Sequence, residues 1–375
     1  MIKQIDLPAA ETSGVKQYKL QLLHVVRRYG PVGGMERYVW ELTLQLQKRG
    51  YAVTVVCERC HTDKPAGITV IELGEVAPRP RWLAALRFNQ RLLHWLAANP
   101  QAGRLVHSHE RISSHDITTF HGPPFATVFE KSWWKWISLR VVMQLFQERR
   151  ELSQASLIVP NSEIIKQQLA YYYPEFAYKL TDPVMPGVEQ GVARAQRKVA
   201  ADGGVIGFVG KEWRRKGLPF AVAVVAQLRR TRPNLKLVVI GPAASDVQHL
   251  FAGWPCCFKS PGWSGQAPYA EFDVLLHPAK AEPYGMVISE AMAAKVPVVI
   301  SDMCGAAEHV TAAAGAVLSL DAPVGEWLAA LESQLKRSGP VPQFEHGWRD
   351  VAREYEWLYQ GHFTATSNGQ LLYSN

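Results

Sequence analysis

The chain has 375 residues, 47% of them hydrophobic and 20% charged, with a formal net charge of +8. That length exceeds one small core and gives a prior of two or three domains. The composition excludes a disordered chain, and no apolar run reaches the roughly 18 residues that a membrane-spanning helix needs. Residues 1–14 show no basic flank followed by an apolar stretch, and the 5 cysteines are too few for a disulfide scaffold. The expectation is a cytoplasmic protein of several domains. Most of the basic excess lies before Gln190. Such an excess suits an anionic membrane, a phosphorylated substrate or nucleic acid, and equally a solubilising surface.

Residues 18–26 (YKLQLLHVV) read as a first strand, followed by a loop that carries Gly30, Gly33 and Gly34. Met35, Val39, Leu42 and Leu46 then recur at helical spacing, and Gly50 follows the basic last turn Lys48-Arg49. Residues 51–57 (YAVTVVC) are a second, β-branched strand. Strand, glycine turn, helix, strand is the unit of doubly wound parallel sheets. The pattern resumes with a strand at 205–209, a basic loop at 211–217, a helix at 218–230 and a strand at 235–240. Further strands are expected at 273–277 and 296–300, with a helix at 285–294 between them. The stretch 185–201 reads as a break, and so does 339–342. A helix follows on Trp348, Val351, Tyr355 and Leu358. The implied domains are residues 1–188, 189–343, and a C-terminal helix with tail at 344–375 that returns to the first domain.

Three features offer competing readings. Cys57-Glu58-Arg59-Cys60-His61 fits a haem-attachment or metal-dithiol spacing, but a strand end with Cys57 in the core explains it more simply. His107, His109, His115 and His121 fall within 15 residues and could hold a metal; the preferred reading is a strand end lining a cleft. Glu110 and His115 are then candidate contacts for an acceptor. Residues 129–146 interleave Phe129, Trp133, Trp134, Trp136 and Leu139 with Lys131, Lys135 and Arg140. This suits a membrane headgroup boundary or a helix packed on the sheet, the second being preferred.

The strongest local signal is Glu282-Pro283-Tyr284-Gly285-Met286-Val287-Ile288-Ser289-Glu290. A helix that opens at glycine presents free N–H groups and a positive dipole end, suited to a diphosphate. A carboxylate on either side of it suits sugar hydroxyls, which donate hydrogen bonds. The basic run Lys211 to Lys216 directly follows a strand, where open αβ sheets bind ligands.

This run resembles the E-x7-E motif of retaining glycosyltransferases of family 4, which have the GT-B fold. Other landmarks resemble that family in order: Gly33-Gly34-Met35-Glu36-Arg37, His121-Gly122, Pro186-Gly187-Val188-Glu189, and Phe208-Val209-Gly210 followed by Arg215-Lys216-Gly217. The finer resemblance is to bacterial enzymes that extend the lipopolysaccharide core. The resemblance implies an α/β GT-B architecture of two Rossmann-like domains facing a central cleft. It implies transfer of a hexose from a nucleotide-diphosphate donor, expected to be UDP-linked (UDP-glucose, for example), to a carbohydrate acceptor such as the lipopolysaccharide core, which is often phosphorylated. Arg215 and Lys216 would hold the diphosphate in place of a metal, so neither metal nor cofactor is expected. Gly33, Gly34, Gly285, Met286, Val287 and Glu290 would bind the donor, and Glu282 and His121 would contact the transferred sugar. Retention would follow from attack on the face the diphosphate leaves, with the leaving phosphate oxygen as base. An inner-membrane surface is an expected partner and nucleic acid is not. The rival readings are an exopolysaccharide or lipid-linked acceptor, and a non-catalytic sugar or nucleotide binding protein on the same scaffold. Lys295 stands where the family has glycine, which puts the turn after the Glu290 helix in question.

Overall fold

The computed structural model describes residues 20–130, 138–196, 198–254, 258–262 and 267–367. The expectations for the first 19 residues, for Lys131, Trp133, Trp134, Lys135 and Trp136, and for the chain past 367 lie outside these.

The first half alternates strands and helices. β1 (Gln21–Val25), α1 (Gly34–Lys48), β2 (Ala52–Cys57) and β3 (Ile68–Glu72) are followed by α2 (Arg81–Ala98), β4 (Arg104–Ser108), β5 (Ile117–Phe120), α3 (Leu139–Gln154), β6 (Leu157–Pro160) and α4 (Glu163–Tyr172). The six strands form one parallel sheet in the order β3-β2-β1-β4-β5-β6. The second half repeats the plan with β7 (Gly203–Val209), α5 (Leu218–Leu228), β8 (Asn234–Ile240), β9 (Phe258–Gly262), β10 (Val274–His277), α6 (Met286–Ala293), β11 (Val298–Ser301), β12 (Gly315–Leu318) and α7 (Val324–Leu335). Its sheet has the order β9-β8-β7-β10-β11-β12, again parallel throughout. In each sheet the strand order reverses beside the first strand. Open α/β sheets bind ligands beyond the carboxyl ends of their strands at that switch point.

The last helix, α8 (Trp348–Ser367), does not join the second half. Val351, Ala352, Tyr355, Leu358 and Tyr359 are buried at helical spacing among Tyr38, Val39, Leu42 and Leu46 of α1. The chain crosses between halves at Val188 and at Gly347, which lie side by side as a parallel bridge. Polar contacts fix the register of α8. Tyr355 Oη lies 2.6 Å from Thr119 Oγ1 and 3.0 Å from Tyr38 Oη, and Tyr359 Oη lies 2.7 Å from His107 Nδ1. These buried groups satisfy one another, as buried polar groups must.

The strand expected from residue 296 begins at Val298. Val296 is instead spent on closing α6: its N–H donates to the Ala291 carbonyl at 2.9 Å, and the Lys295 N–H donates to Met292 at 3.0 Å. This is a Schellman ending, which needs a left-handed residue just past the helix. Lys295 supplies it with φ +58°, a non-glycine residue in that region. Left-handed backbone costs an L-residue with a Cβ about 1–2 kcal/mol. Lys295→Gly is therefore expected to raise the unfolding free energy by about 1 kcal/mol after glycine's own entropy cost. A denaturant titration reads this directly, and a destabilised variant would contradict the assignment.

Candidate active site

A cleft of about 610 Å³ separates the two halves. Its walls are built from the segments that leave the carboxyl ends of the strands: Gly33 and Gly34 after β1, His121 after β5, Asn161 after β6, Gly210 to Lys216 after β7, and Glu282 to Val287 after β10. Sequence neighbours contribute little to each other here; parallel topology brings the five segments together.

Glu282 is the centre of charge. It is 9% exposed, and its Oε2 lies 2.7 Å from Lys216 Nζ, 3.3 Å from His277 Nε2 and 3.6 Å from Arg215 Nη1. Burial pushes the carboxyl up. The hydrogen bond from His277 and the charges of Lys216 and Arg215 more than offset it, so the group is held well below the usual carboxylate range. His277 is fully buried, and burial lowers its pKa against the opposing pull of Glu282. It thus acts as a neutral N–H donor. Lys216 reaches Glu282 across Gly210, where an added Cβ would fall 2.1 Å from Lys216 Cδ. Only glycine leaves that path open.

The helix α6 starts against this cluster. Gly285 caps it with φ +99°, a left-handed backbone that glycine accepts at no steric cost. The first-turn amides of Met286 and Val287 have no carbonyl four residues earlier within the helix, and both residues line the cleft. One turn deeper, Glu290 accepts from Tyr269 Oη at 2.5 Å and from Arg37 Nη1 at 2.8 Å. Arg37 belongs to the first turn of α1, so this pair spans the cleft from one half to the other. Arg215 is also paired: Nε and Nη2 donate to Glu212 at 2.9 and 2.5 Å, and Nη1 donates to the Ala281 carbonyl.

On the opposite wall, no atom of another described residue beyond its chain neighbours and its own helix backbone lies within 4 Å of the place a Cβ on Gly34 would take, and the Glu36 carboxylate folds back against Gly33. His121 sits beside them. Its carbonyl accepts from Asn161 Nδ2 at 3.3 Å, its ring packs edge-on to Tyr38 with centroids 4.8 Å apart, and its Nε2 lies 2.9 Å from His109 Nδ1. Burial pushes the His121 imidazole down to about 3.

The structure therefore brings Gly33, Gly34, His121, Arg215, Lys216, Glu282, Gly285, Met286, Val287 and Glu290 to one cleft. It does not bring Glu110 and His115 there. The Glu110 carboxylate accepts from the Arg27 backbone amide at 3.1 Å, and burial pushes it up to about 7. His115 lies behind β5 against α3, its Nε2 3.2 Å from the Glu151 carbonyl, and burial pushes it down to about 4. His115 is buried, Glu110 is half-buried, and neither lines the cleft, so the expected acceptor contacts are corrected. His107 is a core residue held between Tyr359 and Thr119. His24, His107 and His109 do approach one another, with ligand atoms within 4.8 Å, but each engages a polar neighbour. Cys57 and Cys60 join no third possible ligand among the described residues. Their thiols approach the Ile71 and Thr62 carbonyls, and burial pushes Cys57 up to about 12.

Arg37, Tyr38, Asn161, Tyr269 and His277 belong to the site or its support and received no role from the sequence, while His109, read as part of a cleft-lining strand end, lies behind His121. His277 carried a usable signal, since it ends an apolar strand five residues before Glu282. Arg37 lay inside a quoted motif, but its partner is 253 residues away.

Two family descriptions match, one on each half: Glycosyltransferase Family 4 over residues 32–177, and Glycosyl transferases group 1 over residues 203–336. The chain belongs to the glycosyltransferases of the GT-B fold. It is 25% identical over 348 residues to a D-inositol 3-phosphate glycosyltransferase of Segniliparus rotundus, covering 82% of this chain and 77% of that protein. The structure is similar to that of WaaG, a glycosyltransferase involved in lipopolysaccharide biosynthesis, with TM-score 0.69, 19% identity, and coverage of 92% and 98%. It is also similar to Anabaena Alr3699/HepE in complex with UDP and glucose, with TM-score 0.63, 15% identity, and coverage of 93% and 100%. In this glycosyltransferase the expected two-domain parallel α/β architecture is present.

The Glu282 cluster predicts a pH dependence. A carboxyl whose folded pKa is depressed binds protons more readily when unfolded, so its stabilisation is complete above the unfolded value and is lost as pH falls. The native chain should lose stability as pH drops below 4.5 towards the depressed folded value. Glu282→Gln should start less stable at neutral pH and show a flatter acid slope. Parallel slopes in acid denaturation of the two proteins would contradict the pairing.

Proposed function

We propose that this glycosyltransferase moves a hexose from a nucleoside-diphosphate sugar, UDP-linked as in UDP-glucose, to a hydroxyl of a carbohydrate acceptor, with retention and without a metal. The observation that carries this reading is the placement of Lys216, Arg215 and the α6 N-terminus around Glu282 at the floor of the cleft. The anomeric C–O bond to the diphosphate breaks, and a bond from the acceptor oxygen forms on the same face. The acceptor proton passes to the departing phosphate oxygen. Negative charge grows on the diphosphate as it leaves, where Lys216, Arg215 and the free amides of α6 stabilise it. Glu282 and His121 position the transferred sugar, and Glu290 takes ribose hydroxyls once Arg37 gives way. Gly33 and Gly34 let the α1 end of the cleft approach the donor closely.

For the acceptor we favour a sugar of a lipopolysaccharide core. The S. rotundus relative is named for a phosphorylated polyol, and this supports a second reading in which the acceptor carries phosphate. Arg37 is a basic residue that the first half contributes to the cleft lining, and it is placed to meet such a group. The enzyme would work in the cytoplasm at the inner face of the membrane. Leu139, Val142 and Phe146 form an exposed apolar stripe on α3, Phe129 is also exposed, and no helix among the described residues is long and apolar enough to cross a bilayer.

The test is transfer from UDP-, GDP- and ADP-sugars to core oligosaccharide and to inositol phosphate, with the product anomer read by NMR. Retention is expected, and an inverted product would contradict the reading. Lys216→Ala should raise the barrier by about 3 kcal/mol, roughly 100-fold in kcat. Glu290→Ala should weaken nucleotide binding about tenfold or more and, by leaving the buried Tyr269 hydroxyl without its acceptor, cost no more than about 1–3 kcal/mol of stability. Normal nucleotide affinity with a large loss of stability would make Glu290 a structural residue.

A further inference from the structure

Behind His121 lies a row of imidazoles that the reaction scheme does not use. His121 Nε2 is 2.9 Å from His109 Nδ1, and His109 Nε2 is 3.2 Å from His24 Nδ1. In both pairs the ring centroids, 5.2 and 5.5 Å apart, exceed the N···N distance by about 2.3 Å, twice an imidazole's radius. The nitrogens therefore point at each other. His24 and His109 are 0% and 4% exposed, so no bulk water reaches either ring. Burial pushes His24 and His121 down to about 3 and His109 well below its usual value, which keeps all three neutral. His107 stands next to the row, but Tyr359 and Thr119 occupy both its nitrogens.

Three neutral rings carry three N–H protons, and each N···N contact needs one. His109 has a single proton, so it donates to one neighbour and accepts from the other. The third proton must then sit at an end of the row: on His24 Nε2 or on His121 Nδ1. His24 Nε2 is buried and has no hydrogen-bond partner among the described residues. A buried N–H without a partner is the rarer and costlier arrangement, whereas the His121 end lines the cleft and can be satisfied there. The row therefore runs from His24 Nδ1–H to His109 Nε2, and from His109 Nδ1–H to His121 Nε2.

We infer that His24 and His109 are positioning residues that lock His121 in the Nδ1–H tautomer, so that it meets the sugar donor in the cleft as a hydrogen-bond donor rather than as a base. The catalytic side of this inference rests on the proposed sugar transfer, while the tautomer does not. A fixed donor accepts no proton from the acceptor hydroxyl, which leaves that proton to the departing phosphate.

The experiment is a two-bond proton–nitrogen NMR spectrum of the chain labelled with nitrogen-15 histidine, with His121 identified by the signal lost in His121→Asn. The native chain should show His121 protonated at Nδ1. His24→Leu removes the first donor of the row and should shift His121 towards the Nε2–H form. His24→Asn sets an amide N–H near the lost Nδ1–H and should restore it. In kinetics, His24→Leu should lower kcat/KM for the nucleotide-sugar about tenfold and leave the Kd of the sugar-free nucleoside diphosphate within about twofold. His24→Asn should recover most of that loss. General damage to the fold would move both constants and would not be rescued. A native His121 protonated at Nε2 overturns the inference even if the leucine variant fails to fold, and so does an unchanged tautomer in a folded His24→Leu. A chain that shows the expected spectrum but transfers no sugar would count against the proposed function instead.

Discussion

A buried carboxylate must be neutralised where it lies, and at Glu282 that requirement organises the cleft. Lys216 can reach it only because residue 210 lacks a side chain. His277 reaches it from the end of β10, and Gly285 turns the backbone so that α6 starts beside it. Each neutralising group leaves the carboxyl end of a strand of the second sheet or the loop after it. The cluster is therefore a product of the parallel topology. It also means that both cations suited to a diphosphate already hold carboxylates. Arg215, 36% exposed and tied to Glu212, can turn to a ligand at little cost, while Lys216, 13% exposed, is held more firmly.

The second constraint is how the two halves meet. The Val188–Gly347 crossing and the return of α8 tie the last helix to the first half. The Tyr355, Tyr359, Thr119 and His107 contacts fix that helix in a fully buried setting, where a lost partner is expensive. The Arg37–Glu290 pair, with side chains 28% and 18% exposed, is of a different kind. Such half-exposed pairs contribute little net stability. It bridges the cleft at the place proposed for the ribose, and ribose hydroxyls can replace it without a large loss. The fully buried contacts of α8 thus lie away from the cleft, and the more exposed Arg37–Glu290 pair lies inside it.

Much of this was legible in the sequence. The glycine turns at Gly33-Gly34 and Gly210, the apolar strands and the amphipathic face of α8 are local patterns, and local patterns fix element type. Strand ends were read less well: Val296 looks like strand and serves the helix end instead, because a Schellman hydrogen bond claims its amide. The charged residues of the Glu282 cluster were also legible, since they follow predicted strand ends. Pairings made by tertiary structure were not. His24 reaches the histidine row because β1 and β4 align His24 with His107, a register no single segment displays. Glu110 and His115 failed for the complementary reason. Their position after a strand suggested the cleft, but the Arg27 amide engages the Glu110 carboxylate and the Glu151 carbonyl engages the His115 ring.

The central claim is that the Glu282 cluster and the α6 N-terminus form a donor site for a nucleoside diphosphate that needs no metal. The most direct measurement is the thermal stability of the chain with UDP, GDP and ADP, with and without EDTA, repeated on Lys216→Ala. A specific site saturated at 100 times Kd adds about 2.7 kcal/mol. The account predicts that one of the three raises the melting point, that EDTA leaves the shift intact, and that Lys216→Ala removes most of it. No shift with any nucleotide, or a shift abolished by EDTA, would contradict it.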